Sequence, residues 1–375
     1  MKPHFDSPMT PHRRLRVRRA VEALAAGDSI VVIDDRDAAR THGYLVVAAE
    51  RASAENVAFM VRHTSGFLCV ALPGGECDRL DLPPMQGVDD SVPTELSACV
   101  TVDAIDGVTT GISANDRART ARLLADGDST PTDFTRPGHV VPVRCASGGF
   151  VERDSVTEAV AHLVGTAGHR RAALFATLVG DGVRGSDLPH RAELEAFATA
   201  HSLRSVSISD VRDLYFSTGT LVERTTSAHL ASNLIANYRQ TGSSATYLAV
   251  VTGSVASAPG VLVHVHRDGT DSHSSSPSDA QERLALAESA IAAAGCGVII
   301  YGRAIDDTTG SASAAPAIVA AIAQDVGLTS VRLVDRDNEI ERALRSRGIP
   351  PVEFSELSSP NGSSGRWEEH LDIGA

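Results

Sequence analysis

The feature that most constrains the fold is an alternation of short apolar runs with amphipathic segments along the first half of the chain. Apolar runs of strand length occupy residues 29–33, 44–49 and 67–72, whereas residues 17–26 and 53–63 have helical periodicity. Strands that alternate with helices along a chain form a sheet that those helices cover. The pattern therefore predicts an α/β or α+β first domain built on a mixed sheet.

The second half repeats this alternation after a stretch in which it weakens. Strand-like runs lie at residues 247–252, 260–266, 298–301 and 330–334, and helical segments lie at 279–294 and 317–325. The pattern is weakest around residues 215–220, and the chain after residue 357 is rich in Ser, Gly and Pro. We therefore predict two domains, at 1–218 and 219–356, followed by a disordered tail at 357–375.

Charge and cysteine content narrow the range of partners. The chain has 34 Lys and Arg residues against 47 Asp and Glu residues, and the resulting net charge of −13 disfavours nucleic acid and anionic membranes. Its five cysteines form no CxxC pair, and no apolar run approaches the roughly 20 residues that a membrane span needs. We expect a soluble cytoplasmic protein that binds neither nucleic acid nor membrane.

Several polar stretches of the first half together predict a phosphate site. The run GVTTGISANDR at 107–117 leads into a helix, Arg153 precedes a helix whose first turn holds Thr157, and RPGH at 136–139 predicts a rigid turn that presents His139. Hydroxyls and backbone N–H groups at a helix N-terminus bind anions, particularly beside an Arg. Taken singly, each stretch also has an ordinary explanation as a turn, a helix cap or a surface ion pair.

These stretches carry a family resemblance. RHTSG at 62–66, LDLPPM at 80–85, GVTTGISANDR and RPGHVVPVR are similar in order and spacing to 3,4-dihydroxy-2-butanone 4-phosphate synthase over roughly residues 10–215. That family converts ribulose 5-phosphate to dihydroxybutanone phosphate and formate. The resemblance implies a homodimer with active sites near its interface, a divalent metal that is usually magnesium, and a phosphorylated sugar as ligand. The positions that match family sites for substrate or phosphate are Asp34, Asp35, Thr110, Ser113, His139, Arg153 and Thr157.

The chain departs from the family at the metal and acid–base positions. After Asp34 and Asp35 the family has Arg-Glu-Asn-Glu-Gly-Asp, whereas this chain has Asp37-Ala38-Ala39-Arg40-Thr41-His42-Gly43-Tyr44. Val156 stands at the position of a metal-binding His, and Ala176 at that of a catalytic Glu. Because magnesium needs oxygen ligands in near-octahedral geometry, we predict no metal and no other cofactor here.

Four side chains near the altered loop are candidates to replace the missing acid–base groups. Asp37, His42, Tyr44 and Cys69 could act beside His139, since the reaction needs a positioned base and charge stabilisation. The alternatives are an exposed loop histidine for His42 and a core residue for Cys69. The sequence leaves both alternatives open.

The second half resembles GTP cyclohydrolase II in the order of its segments. The similar stretches are residues 221–224, 247–251, 263–266, 297–303 and 328–333. The resemblance implies zinc held by three cysteines, but Gly269, Ser278 and Ala280 stand at those positions, and no cysteine lies between Cys145 and Cys296. Pro316 falls near the expected catalytic tyrosine. We predict no zinc and no GTP hydrolysis, and a scaffold or dimerisation role for this half.

Three functional hypotheses follow from this mixture of retained and altered motifs. The first is a divergent homologue that binds a pentulose phosphate and performs altered, metal-independent lyase or isomerase chemistry in a specialised pathway. The second is a non-catalytic regulator or partner of riboflavin enzymes. The third, ranked last, is an authentic synthase that releases formate from ribulose 5-phosphate.

Overall fold

The structure, a computed structural model, describes residues 10–37, 41–85, 97–180, 188–256, 258–267, 277–302 and 314–354. It divides into two compact units, one chiefly up to Glu223 and one chiefly from Arg224 onward. The sequence-based boundary at 218/219 lies a few residues before this division and stays a prediction, as does the tail at 357–375, which lies outside the described residues. Within the described ranges, no helix has both the length and the apolar character needed to cross a membrane.

The first unit is built on a mixed sheet, as the alternation predicted. Its strands are β1 Ile30–Asp34, β2 His42–Ala48, β3 Cys69–Pro73, β4 Val102–Ala104, β5 Phe134–Cys145, β6 Ala173–Thr177 and β7 Arg204–Ser207. They are arranged in the order β4-β5-β3-β6-β2-β1-β7. The β3–β5 and β1–β7 pairs are parallel, and the other neighbours are antiparallel.

Helices cover both faces of this sheet. They are α1 Pro11–Ala26, α2 Ala54–His63, α3 Gly74–Arg79, α4 Ala114–Ala125, α5 Val156–Thr166, α6 Arg191–Ala200 and α7 Ile208–Thr218. The main apolar core joins alternate strand residues, such as Val31, Leu45 and Leu174, to side chains of α2, α4 and α6. Strand residues alternate between faces, so the intervening positions point to the face on which α1, α5 and α7 pack.

Polar residues at the helix ends agree with the sequence signals. The Ser53 hydroxyl accepts from the Asn56 N–H at 3.2 Å, while the Asn56 side chain accepts from the Ser53 N–H. This capping box fixes the start of α2 where the sequence placed it. Gly27 ends α1 with φ 88°, a left-handed conformation in which glycine has no steric penalty.

One short segment differs from its predicted conformation. The predicted turn at 136–139 lies inside β5. A Cβ at Gly138 would lie 2.0 Å from the Val102 backbone, so glycine is there because β4 crosses β5 closely. β3 ends at Pro73, and Gly74 and Gly75 open α3 directly after it.

The second unit is a second mixed sheet with helices. Its elements are β8 Val222–Leu230, β9 Asn233–Gln240, β10 Thr246–Thr252, β11 Val261–Arg267, α8 Pro277–Ala294, β12 Gly297–Gly302, α9 Ala315–Asp325, β13 Val331–Leu333, α10 Asn338–Ser346 and β14 Pro351–Phe354. The strand order is β14-β13-β11-β12-β10-β9-β8. A smaller apolar core joins Leu262 and Ile299 of the sheet to Ala287 and Ile291 of α8. The predicted α/β architecture of both halves is confirmed.

Candidate active site

The candidate side chains of the first unit share one face of its sheet. Because Ile33, Leu45 and Val140 belong to the core on the α2 and α4 side, the alternation of strand residues turns their neighbours the other way. Asp34 and His139 therefore lie on the face that carries α5. The other candidates at alternating positions on this face are His42, Tyr44 and Cys69.

His139 on β5 is held by Asp103 on β4. Its Nδ1 lies 2.7 Å from Asp103 Oδ2, and its backbone N–H donates to Asp103 Oδ1 at 2.9 Å. When Nδ1 donates to Asp103, the Nε2 atom of the ring is left open. The His139 side chain is 40% exposed, so its Nε2 can meet a ligand. The bulge between Val102 and Asp103 in the β4–β5 pairing places this carboxylate.

The loop before α4 is folded around the carboxylate of Asp116. Asp116 Oδ2 accepts from the Thr109 hydroxyl at 2.8 Å and from the N–H groups of Thr109 and Gly111, each at 3.2 Å. The Thr109 hydroxyl is the main reason that the pKa of Asp116 lies below its usual range. Gly111 has φ 83°, and a Cβ there would lie 2.1 Å from Asp103 Oδ2. The loop is thus fixed against the His139–Asp103 pair.

Thr110 and Ser113, the two residues of this loop that were predicted to contact phosphate, lie in different environments. Ser113 is the N-cap of α4, and its hydroxyl accepts from the Asp116 N–H at 3.0 Å. Thr110 is exposed beside it. We call Asp103, His139, Asp116 and the loop 107–113 the His139 cluster. The ligand-binding roles of Thr110 and Ser113 remain predictions.

Arg117 is a member of this region that the sequence reasoning did not single out. Its guanidinium is almost buried, donates from Nη1 to the Gly66 carbonyl at 3.2 Å, and has an Nε without a hydrogen bond among the described residues. Desolvation lowers its pKa, while the charge of Asp103 acts in the opposite direction. The sequence signal that could have identified Arg117 is its position at the end of the GVTTGISANDR run.

Arg153 and Glu158 form the centre of a second cluster, at the start of α5. Glu158 is 1% exposed, and its Oε1 accepts from Arg153 Nη2 at 2.6 Å and Nε at 3.0 Å. Arg153 also donates to the Ser97 hydroxyl at 2.7 Å and the Arg144 carbonyl at 2.6 Å. These contacts hold the predicted phosphate residue Arg153 in place.

Thr157, the other predicted phosphate residue of α5, is completely buried. Its backbone N–H donates to the Ser155 N-cap hydroxyl at 3.2 Å, and its own hydroxyl has no hydrogen bond within the described part of the chain. The phosphate-binding roles of Arg153 and Thr157 remain predictions.

Asp34 and Asp35, predicted to bind substrate, have their oxygens engaged within the chain. Asp34 is paired with Arg36 by two hydrogen bonds, of 2.8 Å from Nε and 2.6 Å from Nη2. Asp35 accepts from the N–H of Ser209 at 3.0 Å and from its hydroxyl at 2.6 Å. Arg36 also donates to the Asp154 carbonyl, which ties the end of β1 to the start of α5. We call Asp34, Arg36, Arg153, Asp154 and Glu158 the α5 cluster.

The proposed replacement acid–base groups lie on or near β2 and β3. His42 pairs with Asp34 across the β1–β2 ladder, Tyr44 packs its ring 6.1 Å from that of Phe175, and Asp37 is exposed. Cys69 is buried, and burial raises the pKa of its thiol to about 12. At neutral pH that thiol is protonated, which favours the core alternative for Cys69. The catalytic roles of Asp37, His42 and Tyr44 stay predictions.

The sheet separates the two groups of candidates within one chain. Tyr44 pairs with Thr177, and β5 lies three strands from β2, so His139 and Tyr44 are about 14 Å apart at ~4.8 Å per strand. Along β5, His139 and Arg144 are five residues apart, or roughly 17 Å at ~3.3 Å per residue. Tyr44 and Arg144 therefore lie well apart from His139 along the sheet of a single chain.

The residues present do not fit the divalent metal that the resemblance implies. Val156, at the position of the metal-binding His, is aliphatic and 3% exposed, and Asp34 is already paired with Arg36. The described residues contain no group of three His, Cys, Asp or Glu side chains able to hold a metal ion. Ala38, Ala39 and Arg40, which lie outside the described residues, bring no carboxylate.

The zinc site of the second half also lacks its ligands. Gly269 and the side chain of Ser278 lie outside the described residues, and Ala280 begins the described side chains of α8. None of these residue types can supply a thiolate. The argument against a zinc site therefore depends on the sequence, which has no cysteine between Cys145 and Cys296.

Each half of the chain matches a known protein family. The family model of 3,4-dihydroxy-2-butanone 4-phosphate synthase matches residues 18–214, and that of GTP cyclohydrolase II matches residues 222–350. The riboflavin biosynthesis protein RibBA of Mycobacteroides abscessus is 41% identical over 299 residues, covering 76% of this chain and 70% of that protein. The RibBA protein of Mycobacterium tuberculosis is 42% identical over 299 residues, covering 76% of this chain and 69% of that protein.

A solved structure extends the match over nearly the whole chain. RibBX of A. baumannii, described as a two-domain 3,4-dihydroxy-2-butanone 4-phosphate synthase, superposes with a TM-score of 0.72 at 25% identity. The match covers 92% of this chain and 99% of that one.

These findings correct the ranking of the functional hypotheses. The expectations of altered, metal-independent chemistry in a specialised pathway and of a non-catalytic regulator are wrong, because relatives about 41% identical over most of the chain are named as riboflavin biosynthesis proteins. The error came from weighing a few altered motif positions above the retained majority of the chain. The hypothesis ranked last, an authentic synthase, is the one that the comparisons support.

Proposed function

The chain belongs to the family in which a 3,4-dihydroxy-2-butanone 4-phosphate synthase domain precedes a GTP cyclohydrolase II-like domain, and from this premise we propose that it is a working synthase of riboflavin biosynthesis. It converts ribulose 5-phosphate to dihydroxybutanone phosphate and formate. The observation that carries the proposal is the His139–Asp103 pair, fixed against the loop 107–113.

His139 is the proton-transfer group of the proposed site. The reaction begins with loss of a proton beside the sugar carbonyl and forms an enediolate that needs stabilisation. With Nδ1 hydrogen-bonded to Asp103, the proton is taken and returned at His139 Nε2. The exposed Thr110 contacts the sugar hydroxyls, and the buried charge of Arg117 raises the positive potential around this end.

The phosphate end of the substrate is assigned to the start of α5. Arg153 keeps 22% of its side chain exposed, and the N-terminus of α5 adds a partial positive charge. Asp37, His42 and Tyr44 border this end and are the further candidates for acid–base work. Asp34 and Asp35 do not contact the substrate themselves. They stabilise the site through their hydrogen bonds with Arg36 and Ser209.

A homodimer completes the site in this proposal. The family resemblance implies active sites near a dimer interface, so the His139 cluster of one copy is assigned to face the α5 cluster of the other. Exposed apolar side chains lie near the His139 cluster, where a second copy would cover them: Phe67, Ile105, Ile112 and Val179. All five cysteines are free, which agrees with a reducing cytoplasm.

The proposed activity is tested with the purified full-length protein and ribulose 5-phosphate. We expect repeated turnover, with one formate released per dihydroxybutanone phosphate, measured by a coupled formate assay and by mass spectrometry of the product. Ribose 5-phosphate, which lacks the ketone at C2, is the control substrate. Absence of formate with ribulose 5-phosphate, both with and without added magnesium, would refute the proposal.

The second domain is proposed to lack cyclohydrolase activity. Three thiolates normally hold the zinc that activates water for attack on the purine ring, and no cysteine lies between Cys145 and Cys296. We expect far less than one zinc per chain by elemental analysis of the purified protein, and no formate or diphosphate from GTP. A stoichiometric zinc content, or GTP turnover that a zinc chelator abolishes, would contradict this part.

A further inference from the structure

Two cysteines of the first unit lie against each other in its core. Cys77 on α3 and Cys99, which precedes β4, are fully buried, and their thiols are hydrogen-bonded to each other. We propose that Cys77 and Cys99 form a reversible disulfide on oxidation by a peroxide, and that this bond weakens the positioning of Arg153 at the phosphate end of the site. The disulfide itself is independent of the proposed function, whereas its effect on the substrate rests on that function.

Backbone contacts hold together the two segments that carry these thiols. Leu82 donates its N–H to the Cys77 carbonyl at 2.9 Å, and Pro84 forms an isolated antiparallel bridge with Cys99. Both cysteines belong to the same apolar core. Since the two thiols are already in contact, closing a bond between them calls for a movement of side chains and of the short segments around them, and the fold of the sheet is retained.

The two thiols differ in their tendency to ionise. The hydrogen bond between them lowers the pKa of the Cys99 thiol and raises that of Cys77. The charge of Arg144 also lowers the pKa of Cys99, whereas desolvation acts in the opposite direction. Burial instead raises the pKa of both Cys69 and Cys145 to about 12. Because the thiolate is the nucleophile, Cys99 is the sulfur of this region that reacts with a peroxide.

The oxidation consumes one peroxide for each disulfide. The Cys99 sulfur attacks one oxygen of hydrogen peroxide, the O–O bond breaks, and one water leaves behind a sulfenic acid. The Cys77 sulfur then attacks the Cys99 sulfur, the S–S bond closes, and the sulfenic oxygen departs as a second water. Two thiols are thereby oxidised, and one peroxide is reduced to two waters.

An exposed ion pair borders the buried thiols. Asp78 follows Cys77 in the chain and pairs with Arg144 at 2.5 Å, and the charge of Arg144 acts on both thiols. The side chains of Asp78 and Arg144 are 70% and 32% exposed, and an ion pair of that exposure opens at little cost. Hydrogen peroxide is little larger than water, so opening of this pair gives it a route to Cys99.

The segment that carries Cys99 also holds Arg153. Arg153 donates from Nη1 to the Ser97 hydroxyl at 2.7 Å and from Nη2 to the Arg144 carbonyl at 2.6 Å. Ser97 and Cys99 pair with β5, since the Arg144 N–H donates to the Ser97 carbonyl at 2.9 Å and the Cys99 N–H to the Pro142 carbonyl at 2.8 Å. A disulfide that draws Cys99 towards α3 shifts Ser97 along β5, and Arg153 loses part of its positioning.

Peptide mapping tests the disulfide without reference to activity. The full-length protein is exposed to a small molar excess of hydrogen peroxide, unfolded in the presence of N-ethylmaleimide, digested, and analysed by tandem mass spectrometry. We expect two peptides joined through Cys77 and Cys99, with Cys69 and Cys145 alkylated as free thiols. Treatment with dithiothreitol before alkylation should restore all five alkylated cysteines.

Formate release measures the effect on the site. Oxidation should raise KM for ribulose 5-phosphate by about tenfold and change kcat less, as expected when one charged hydrogen bond to the phosphate is weakened. Dithiothreitol should reverse this change. Cys77→Ser should not respond to peroxide, and Cys77→Ala takes its place if the serine variant does not fold. Cys296→Ser, in the second unit, is the matched control and should respond as the wild type does.

The two readouts separate this inference from the proposed function. If Cys77 and Cys99 remain alkylated at peroxide concentrations that already oxidise Cys69 or Cys145, or become joined only in unfolded protein, the inference is overturned. A Cys77–Cys99 disulfide that leaves KM unchanged would refute its effect on Arg153. Absence of formate under every condition would instead refute the proposed function, and the peptide map would then decide the inference alone.

Discussion

Replacing His139 with alanine is expected to lower kcat/KM for formate release from ribulose 5-phosphate by about 10²–10⁴-fold, the range typical of a positioned general acid–base. The reason is that the Asp103 contact at 2.7 Å fixes the ring and leaves Nε2 as its proton-transfer atom. The fold should be unaffected, since the side chain is 40% exposed. Initial rates, together with the circular dichroism spectrum of the variant, provide the measurement.

Two further variants make this test specific. Asp103→Asn keeps the shape of the partner but favours the other ring tautomer, so it should lower kcat and change the pH dependence of the rate. His229→Ala removes an exposed histidine of β8 and should leave formate release unchanged. Retention of more than one third of wild-type kcat/KM by His139→Ala would show that proton transfer resides elsewhere.

Replacing Glu158 with alanine is expected to destabilise the protein by about 3–5 kcal/mol, because it leaves the buried side of Arg153 without its counter-charge. Glu158 also accepts from the Ala146 N–H at 2.9 Å and from the Ser155 hydroxyl, so several donors lose their partner together. Urea unfolding followed by fluorescence or circular dichroism gives the free energy of unfolding. The effect should be confined to the transition of the first unit if the two units unfold separately.

Glu76→Ala provides the matched control for this second experiment. Glu76 and Arg79 form an ion pair of 2.7 Å, but their side chains are 37% and 32% exposed, so the loss should be about 0–1 kcal/mol. Glu158→Gln keeps the volume of the side chain and part of its hydrogen bonding. Its loss in free energy of unfolding should therefore lie between those of Glu158→Ala and Glu76→Ala. A Glu158→Ala variant as stable as the control would mean that water replaces the Arg153–Glu158 contact at little cost.

The periodicity of the sequence was sufficient for β1, β2 and β3 and for α1 and α2, because local patterns fix these elements. The start of α2 followed from the helical pattern that begins at Ser53, and the structure adds that Ser53 and Asn56 cap each other within one turn. The segment 136–139 did not follow, since Pro and Gly there suit a turn equally well. It is part of β5 because β4 approaches so closely at Gly138 that a side chain could not fit.

The candidate site was predictable where motifs are local and unpredictable where distant residues meet. His139 was found from its motif, but its partner Asp103 is 36 positions away and is brought to it only by the β4–β5 pairing. Arg36 was overlooked for a different reason. The sequence showed which carboxylates were missing after Asp35, and it did not show that a neighbouring guanidinium turns back onto Asp34.

The length of β5 has a consequence for how a pair of active sites would communicate. This single strand carries His139 near its middle and, at its end, Arg144, whose carbonyl holds Arg153. In the proposed dimer those two residues serve different substrates, one at each catalytic centre. A hydrogen-bonded strand moves as a unit, so a shift that follows binding at one centre reaches the other along β5. The two centres would then show cooperativity, with occupancy of one altering the affinity or turnover of its twin.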